Sequence, residues 1–256
     1  MEHTVLVTGA TAGFGEATAR RFLAHSHKVI AVGRRAERLE ALKTSLPAEQ
    51  QKKLLTLVVD VCDSTRVDAL PKTLPADFAN VTVLVNNAGL ALGLEPAYKT
   101  SISDWDQMID TNVKGLVHMT HAFLTGMVER KCGHIINVGS VAGLYPYPGS
   151  NVYGATKAFV KQFSLNLRAD LLGTRLRVTC VEPGLSSGTE YSNVRFKGDD
   201  AKAAKVYENL QALSSDDIAE AIYWAALLPP HMNINAVEIM PIQQSFGGTT
   251  IHRGEL

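Results

Sequence analysis

The sequence has no excess of either charge: 25 Lys and Arg stand against 25 Asp and Glu over 256 residues. No basic run breaks that balance, so a nucleic-acid groove, which needs clustered Lys and Arg, is not expected. No apolar stretch reaches the ~18 residues that a membrane span requires. Met1-Glu2-His3 runs straight into strand-like Thr4–Thr8, so no signal peptide is expected. Cysteine is scarce: Cys62, Cys132 and Cys180 lie far apart without a Cys-x-x-Cys spacing. A disulfide framework is not expected, nor is a metal site, and a reducing cytoplasm is the simplest location. All three cysteines sit in or beside apolar segments and read as small buried hydrophobes. Linker-like runs and internal repeats are also missing, so residues 1–256 read as one domain. Disorder is excluded, because 46% of the residues are apolar.

Short β-branched runs alternate with longer helical stretches. Candidate strands are Thr4–Thr8, Lys28–Val32, Leu54–Val59, Val83–Asn86, His134–Val138, Arg177–Val181 and Val237–Met240. Several are nearly continuous apolar runs, as strands buried on both faces should be. Candidate helices are Gly15–Ala24, Arg35–Leu46, Thr65–Leu74, Ser103–Arg130, Ser150–Leu172 and Asp216–Leu228. Capped starts are expected around Ser101 to Trp105 and at Ser214-Ser-Asp-Asp. The alternation predicts an α/β fold: a doubly wound, parallel, seven-stranded sheet with helices on both faces. In such folds ligands bind beyond the carboxyl ends of the strands.

Thr8-Gly9-Ala-Thr11-Ala-Gly13-Phe14-Gly15 follows the first strand and opens a helix, the context a dinucleotide loop requires. Gly9 suits the tight turn, Gly13 admits a pyrophosphate to the backbone, and Gly15 lets the helix pack on the sheet. The helix start supplies free N–H groups and partial positive charge. The second strand ends in Gly33-Arg34-Arg35 with no acid. An acid there would hold the ribose 2′-hydroxyl of NAD. Two guanidinium groups suit a 2′-phosphate instead, Arg34 foremost, so NADP is the expected cofactor. Asp60-Val61 after the third strand is placed to border the adenine. Asn87-Ala88-Gly89 after the fourth provides small residues beside the adenine ribose.

Tyr153 and Lys157 stand four apart on a predicted helix and so share a face. A free phenol titrates near 10, and a nearby ammonium lowers that value. The pair suits general acid–base work on a carbonyl or alcohol. Ser140, just past the fifth strand, can hydrogen-bond the same substrate oxygen, and Asn112 can hold Lys157 through a water.

Together these motifs make the chain resemble the short-chain dehydrogenase/reductase family over nearly its whole length. The resemblance implies a catalytic tetrad of Asn112, Ser140, Tyr153 and Lys157. It further implies that Tyr153 and Lys157 flank the cofactor, Lys157 holding the nicotinamide ribose. Pro183-Gly184-Leu185 would pass the nicotinamide, and Thr189 would reach its carboxamide. Segments 90–96, 151–159 and 189–199 also resemble the NADP-dependent 3-hydroxy acid dehydrogenases. That likeness implies serine, L-allo-threonine, 3-hydroxypropionate or 3-hydroxyisobutyrate as alcohols, and semialdehydes such as malonic semialdehyde in the reverse direction. Ser186-Ser187 departs from the Val-Gly expected after Leu185.

Residues 184–215 follow the sixth strand and read as a substrate lid. An acid substrate needs a cation, because an unpaired buried carboxylate is costly. Arg195 is favoured over Lys197 for its bidentate geometry, unless it is a solvated or interface residue. Tyr147 and Asn151 are candidates for the opposite wall. Phe159, Phe163, Leu167 and Leu171 recur at helical spacing, which fits either core packing or a subunit contact. The family likeness favours the contact and a homotetramer. A broad carbonyl reductase and a non-catalytic cofactor-binding protein remain the alternatives.

Overall fold

The computed structural model describes residues 2–247; Met1 and residues 248–256 of the expected 1–256 domain lie outside it. The strands are β1 (Thr4–Thr8), β2 (Lys28–Gly33), β3 (Leu54–Val58), β4 (Val83–Asn86), β5 (His134–Val138), β6 (Arg177–Pro183) and β7 (Ala236–Ile239). They form one parallel sheet in the order β3-β2-β1-β4-β5-β6-β7. The order reverses between β1 and β4, the switch point at which an open α/β sheet leaves a crevice.

The main helices are α1 (Gly13–Ala24), α2 (Ala36–Thr44), α4 (Ser64–Thr73), α5 (Ile102–Ile109), α6 (Leu116–Arg130), α7 (Asn151–Asp170) and α10 (Ser215–Leu227). Short helices α3 (Ala48–Gln51), α8 (Tyr191–Arg195) and α9 (Asp200–Lys205) complete the set. Period-two alternation divides the strands between two cores. Val5 and Val7 of β1 pack with Phe22 of α1 and Ile222 of α10, whereas Leu6 packs with Phe123 of α6 and Leu167 of α7. Phe22 is fully buried, and its truncation to Ala would cost about 3–5 kcal/mol.

Two helix starts follow the expected capping chemistry in different degrees. Ser214 Oγ accepts from Asp217 N at 3.2 Å while the Asp217 carboxylate accepts from Ser214 N at 2.7 Å, a complete capping box. Ser101 occupies the cap of α5, but its hydroxyl pairs with that of Ser103 at 2.7 Å rather than with the backbone.

The helix expected over Ser103–Arg130 is not one regular rod. A π turn over Asp110–Gly115 joins α5 to α6. Gly115 sits where a Cβ would come within 2.7 Å of Val61 Cγ2, so the turn packs tightly against the loop after β3. The cysteine reading is corrected in part: Cys180 is buried in the sheet, but Cys62 and Cys132 are exposed because they lie on loops. The α7 stripe is corrected likewise. Leu167 and Leu171 are buried in the core and Phe163 packs against it, which leaves Phe159 on the surface.

Candidate active site

The carboxyl ends of the strands open into a cavity of about 750 Å³, within the roughly 300–1,000 Å³ of ligand sites. The glycine loop forms its floor. Thr8 Oγ1 accepts from Asn87 N and Ala88 N, each at 3.0 Å, and the Asn87 amide donates to Thr8 O at 2.9 Å. These bonds lock the loop after β4 onto the loop after β1. Gly9 and Gly13 hold φ values of +67° and +54°, a region that favours glycine. A Cβ on Gly15 would collide with the Gly9 carbonyl, and one on Gly13 would meet Thr189 Cγ2 at 3.1 Å. The cradle is therefore closed by backbone on one side and roofed by Thr189. It presents free N–H groups at the start of α1, as a bound dinucleotide phosphate requires.

Thr11, Phe14, Arg34, Arg35, Asp60, Val61, Ala88 and Gly89 line the same cavity, with Pro183, Gly184 and Leu185 at its far end. The two arginines differ. Arg34 is more than half exposed and lies 3.7 Å from the Asp60 carboxylate. Arg35 is already engaged: it donates to Thr11 Oγ1 at 3.0 Å and pairs with Glu190 at 2.7 Å. Arg38 pairs with the same carboxylate at 3.1 Å. Neither Glu190 nor Arg38 carried a signal in the sequence, since the two lie 152 residues apart.

Tyr153 and Lys157 project from the first turns of α7 toward Ser140. Burial pushes the Tyr153 phenol above its ordinary range, and the Tyr191 and Ser140 hydroxyls and the Arg195 charge oppose that rise. Lys157 Nζ lies 5.9 Å from the Tyr153 ring centre and donates to Val138 O at 2.8 Å. Burial pulls its pKa down to about 8. Ser140 Oγ accepts from Ala142 N at 3.1 Å, which fixes the hydroxyl at the cavity wall. Asn112 stands in the π turn, and both protons of its amide are committed. Oδ1 accepts from Leu90 N and Nδ2 donates to Leu90 O, both at 2.8 Å, with a further bond to Thr156 Oγ1. The side chain thus clamps the loop after β4 to α7. Behind the site, Asn86 donates to Thr120 and Asn137, and Asn137 donates to Ser164, so a buried polar chain ties α6, β4, β5 and α7 together.

Arg195 is not a solvated loop residue. It is buried in α8, with Nε donating to Gly93 O at 3.0 Å and Nη1 to the hydroxyls of Tyr147 at 3.0 Å and Tyr191 at 3.3 Å. Its Nη2 is buried without a partner. Tyr147 lies in the cavity as expected. Asn151 does not: its amide donates to Glu95 O at 3.3 Å and its Oδ1 accepts from Val152 N at 2.7 Å. It serves the turn into α7, where its backbone takes φ +21°, and it faces away from the cavity. Sequence reasoning missed Tyr191, Gln244 and the hydrophobic wall of Leu90 and Leu94. Gln244 caps the Leu185 amide at 2.7 Å from 59 residues away, a contact with no local signature.

A family model for short chain dehydrogenases matches residues 3–200. The chain is 62% identical over 249 residues to the NADP-dependent 3-hydroxy acid dehydrogenase YdfG of Salmonella typhimurium, covering 97% of this chain and 99% of that protein. It is 47% identical over 253 residues to the serine 3-dehydrogenase of Agrobacterium fabrum, covering 99% of each. The fold superposes with a TM-score of 0.94 on the closed form of a serine dehydrogenase complexed with NADP+, at 59% identity, covering 98% of this chain and 99% of that one. The match runs from the glycine loop through the Tyr153–Lys157 pair to the segment over the cavity, and on that basis the chain belongs to the short-chain dehydrogenase family.

Proposed function

We propose that the protein is an NADP-dependent dehydrogenase of small 3-hydroxy acids. Its alcohols would be serine, L-allo-threonine, 3-hydroxypropionate or 3-hydroxyisobutyrate, and malonic semialdehyde would be reduced in the reverse direction. One observation carries this reading: the Arg195 guanidinium is buried beside Tyr153 with Nη2 unpartnered. The two carboxylates lining the cavity are already matched, Glu190 by Arg35 and Arg38, and Asp60 by Arg34. The substrate end thus has positive charge to offer an acid and no free carboxylate among the described lining residues.

The cofactor supplies a hydride acceptor or donor at its nicotinamide. Gly9, Gly13, Gly15 and the start of α1 would hold its pyrophosphate, Thr11 and Phe14 its flank, and Arg34 with Arg35 its 2′-phosphate. Asp60, Val61, Asn87, Ala88 and Gly89 would border the adenosine. Pro183, Gly184, Leu185 and Thr189 would border the nicotinamide, with Lys157 on its ribose. In oxidation Tyr153 takes the proton of the substrate hydroxyl, and in reduction it returns one to the forming alkoxide. Ser140 orients that oxygen. Lys157 keeps positive charge near the phenol, and Asn112 holds the loop and α7 in register. Arg195 and Tyr147 bind the carboxylate, and the segment 184–215 excludes water as a lid.

The test compares 3-hydroxypropionate with its methyl ester, followed at the nicotinamide absorbance with NADP+ and NAD+. The acid should exceed the ester by tenfold or more in kcat/KM, the scale of a charge-assisted hydrogen bond of about 1.5–3 kcal/mol. Arg195→Met should erase that preference while sparing the ester. Equal rates for acid and ester in the unaltered protein would refute the assignment.

We further infer a homotetramer. Phe159 and Leu165 on α7 and Trp224 and Leu227 on α10 are exposed apolar side chains on separate helices, and two apolar faces suit two kinds of contact between copies. A monomeric mass by light scattering at micromolar concentration would refute it. No helix among the described residues is long and apolar enough to cross a membrane. Three free thiols suit a reducing compartment, and we place the reaction in the cytoplasm.

A further inference from the structure

Tyr191 opens α8 and hangs over the cavity beside two groups with assigned roles. Its hydroxyl accepts from Arg195 Nη1 at 3.3 Å. Its ring packs against that of Tyr153, with centroids 5.7 Å apart. The Arg195 guanidinium lies 5.7 Å from the Tyr153 ring and 6.0 Å from the Tyr191 ring. That bond holds the guanidinium beside the Tyr153 ring. A guanidinium and two phenols thus form a chain from the carboxylate end of the cavity to the proton-transfer end.

We propose that Tyr191 is a positioning residue whose hydroxyl holds the Arg195 guanidinium beside Tyr153, so that the acid-binding and proton-transfer groups are coupled. The inference rests on the roles of Tyr153 and Arg195 proposed above. The groups facing Tyr153 come from every neighbouring element. Ser140 approaches from the end of β5, Lys157 from α7, Tyr147 from the loop before α7, and Tyr191 and Arg195 from α8. A cation held beside the phenol favours its charged form. Without Tyr191 the phenol is harder to ionise, so a larger fraction stays protonated when Tyr153 must act as base.

The test is the pH dependence of kcat/KM for 3-hydroxypropionate oxidation at saturating NADP+, which reports groups of the enzyme before substrate binds. Tyr191→Phe should move the acidic limb to higher pH by about half a unit to one unit, and rates below the limb should fall about 3- to 10-fold. Tyr207→Phe is the control. It removes the 2.7 Å bond between Ser192 and Tyr207, which loosens the same segment without reaching Tyr153, and it should leave the limb in place. A Tyr191→Phe limb that stays put overturns the proposal, whatever the loss of rate. So does an equal shift in Tyr207→Phe, which would make segment order the cause. If the unaltered protein does not oxidise hydroxy acids, the functional reading fails on its own. Ultraviolet titration of the phenolate signal that is lost in Tyr153→Phe then reads the same displacement directly in Tyr191→Phe.

Discussion

At the scale of single residues, the phosphate loop and the proton-transfer pair were legible because backbone geometry forces them. Gly9 and Gly13 need positive φ, and Tyr153 and Lys157 need one helix face. Arg195 was legible only as a cation in the right segment, and the structure gives it a buried place that spacing does not encode. Asn151 was misplaced because proximity along the chain to Tyr153 does not fix direction, and its amide turns to Glu95. Two substitutions follow. Tyr153→Phe keeps the ring and its packing but deletes the transferable proton. Turnover should fall by about 10²–10⁴-fold while NADPH fluorescence still reports binding; turnover within a few fold of the parent would exclude Tyr153 as the acid–base group. Arg34→Ala is the cleaner probe of the 2′-phosphate, because Arg35 also holds Glu190. Loss of one charge-assisted contact, about 1.5–3 kcal/mol, should weaken NADP+ binding roughly tenfold to a hundredfold and leave NAD+ unchanged. Equal loss for both cofactors would show that Arg34 supports the loop rather than the phosphate.

At the scale of elements, strand positions were read almost to the residue, because a parallel sheet covered on both faces leaves continuous apolar runs. The helices were harder. Nothing in the period of residues 103–130 marks the π turn at Asp110–Gly115, which arises from tertiary demands: Asn112 must reach Leu90 and Gly115 must clear Val61. Helices α8 and α9 escaped notice because five and six residues are too few to show a period. What holds the segment they form is electrostatic as well as apolar. Glu190, just before α8, is gripped by Arg35 and by Arg38, so the segment is fastened to the end of β2 and the start of α2. These pairs are more than a third exposed, so solvent screens them and each is worth about 0.2–1 kcal/mol. Glu190→Gln should therefore raise amide exchange over residues 191–205 by about 2- to 10-fold without changing the melting of the sheet. High salt should abolish the difference between the two proteins. Unchanged exchange at low salt would show that apolar packing alone seats the segment.

At the scale of the whole molecule, the two ends of the sheet are built from different chemistry. The carboxyl end carries the cavity, whereas the amino end carries buried and half-buried histidines at strand starts. His3 precedes β1, His27 precedes β2 and His134 opens β5. His27 Nδ1 accepts from His3 N at 3.0 Å, His3 Nδ1 pairs with Thr82 Oγ1 at 3.0 Å, and His134 Nε2 pairs with Thr179 Oγ1 at 2.8 Å. Burial is the main cause that lowers all three pKa values, His3 to about 4, with the neighbouring His27 and Arg177 charges adding to the effect on His3. Each is harder to protonate folded than unfolded, so the unfolded chain binds more protons as pH falls below about 6.5. Stability is therefore complete above about pH 6.5 and is lost progressively toward pH 4. The window from pH 7 to 5 isolates this effect, because ordinary carboxylates titrate mostly below it. The urea midpoint should fall across that window, and His3→Gln should flatten part of the fall. NADPH binding measured at pH 7 should be the same in both proteins, since His3 lies at the opposite end of β1 from Gly9. A midpoint that stays level from pH 7 to 5 would mean that the histidines protonate as readily in the folded chain as in the unfolded one, and that the amino end of the sheet admits water.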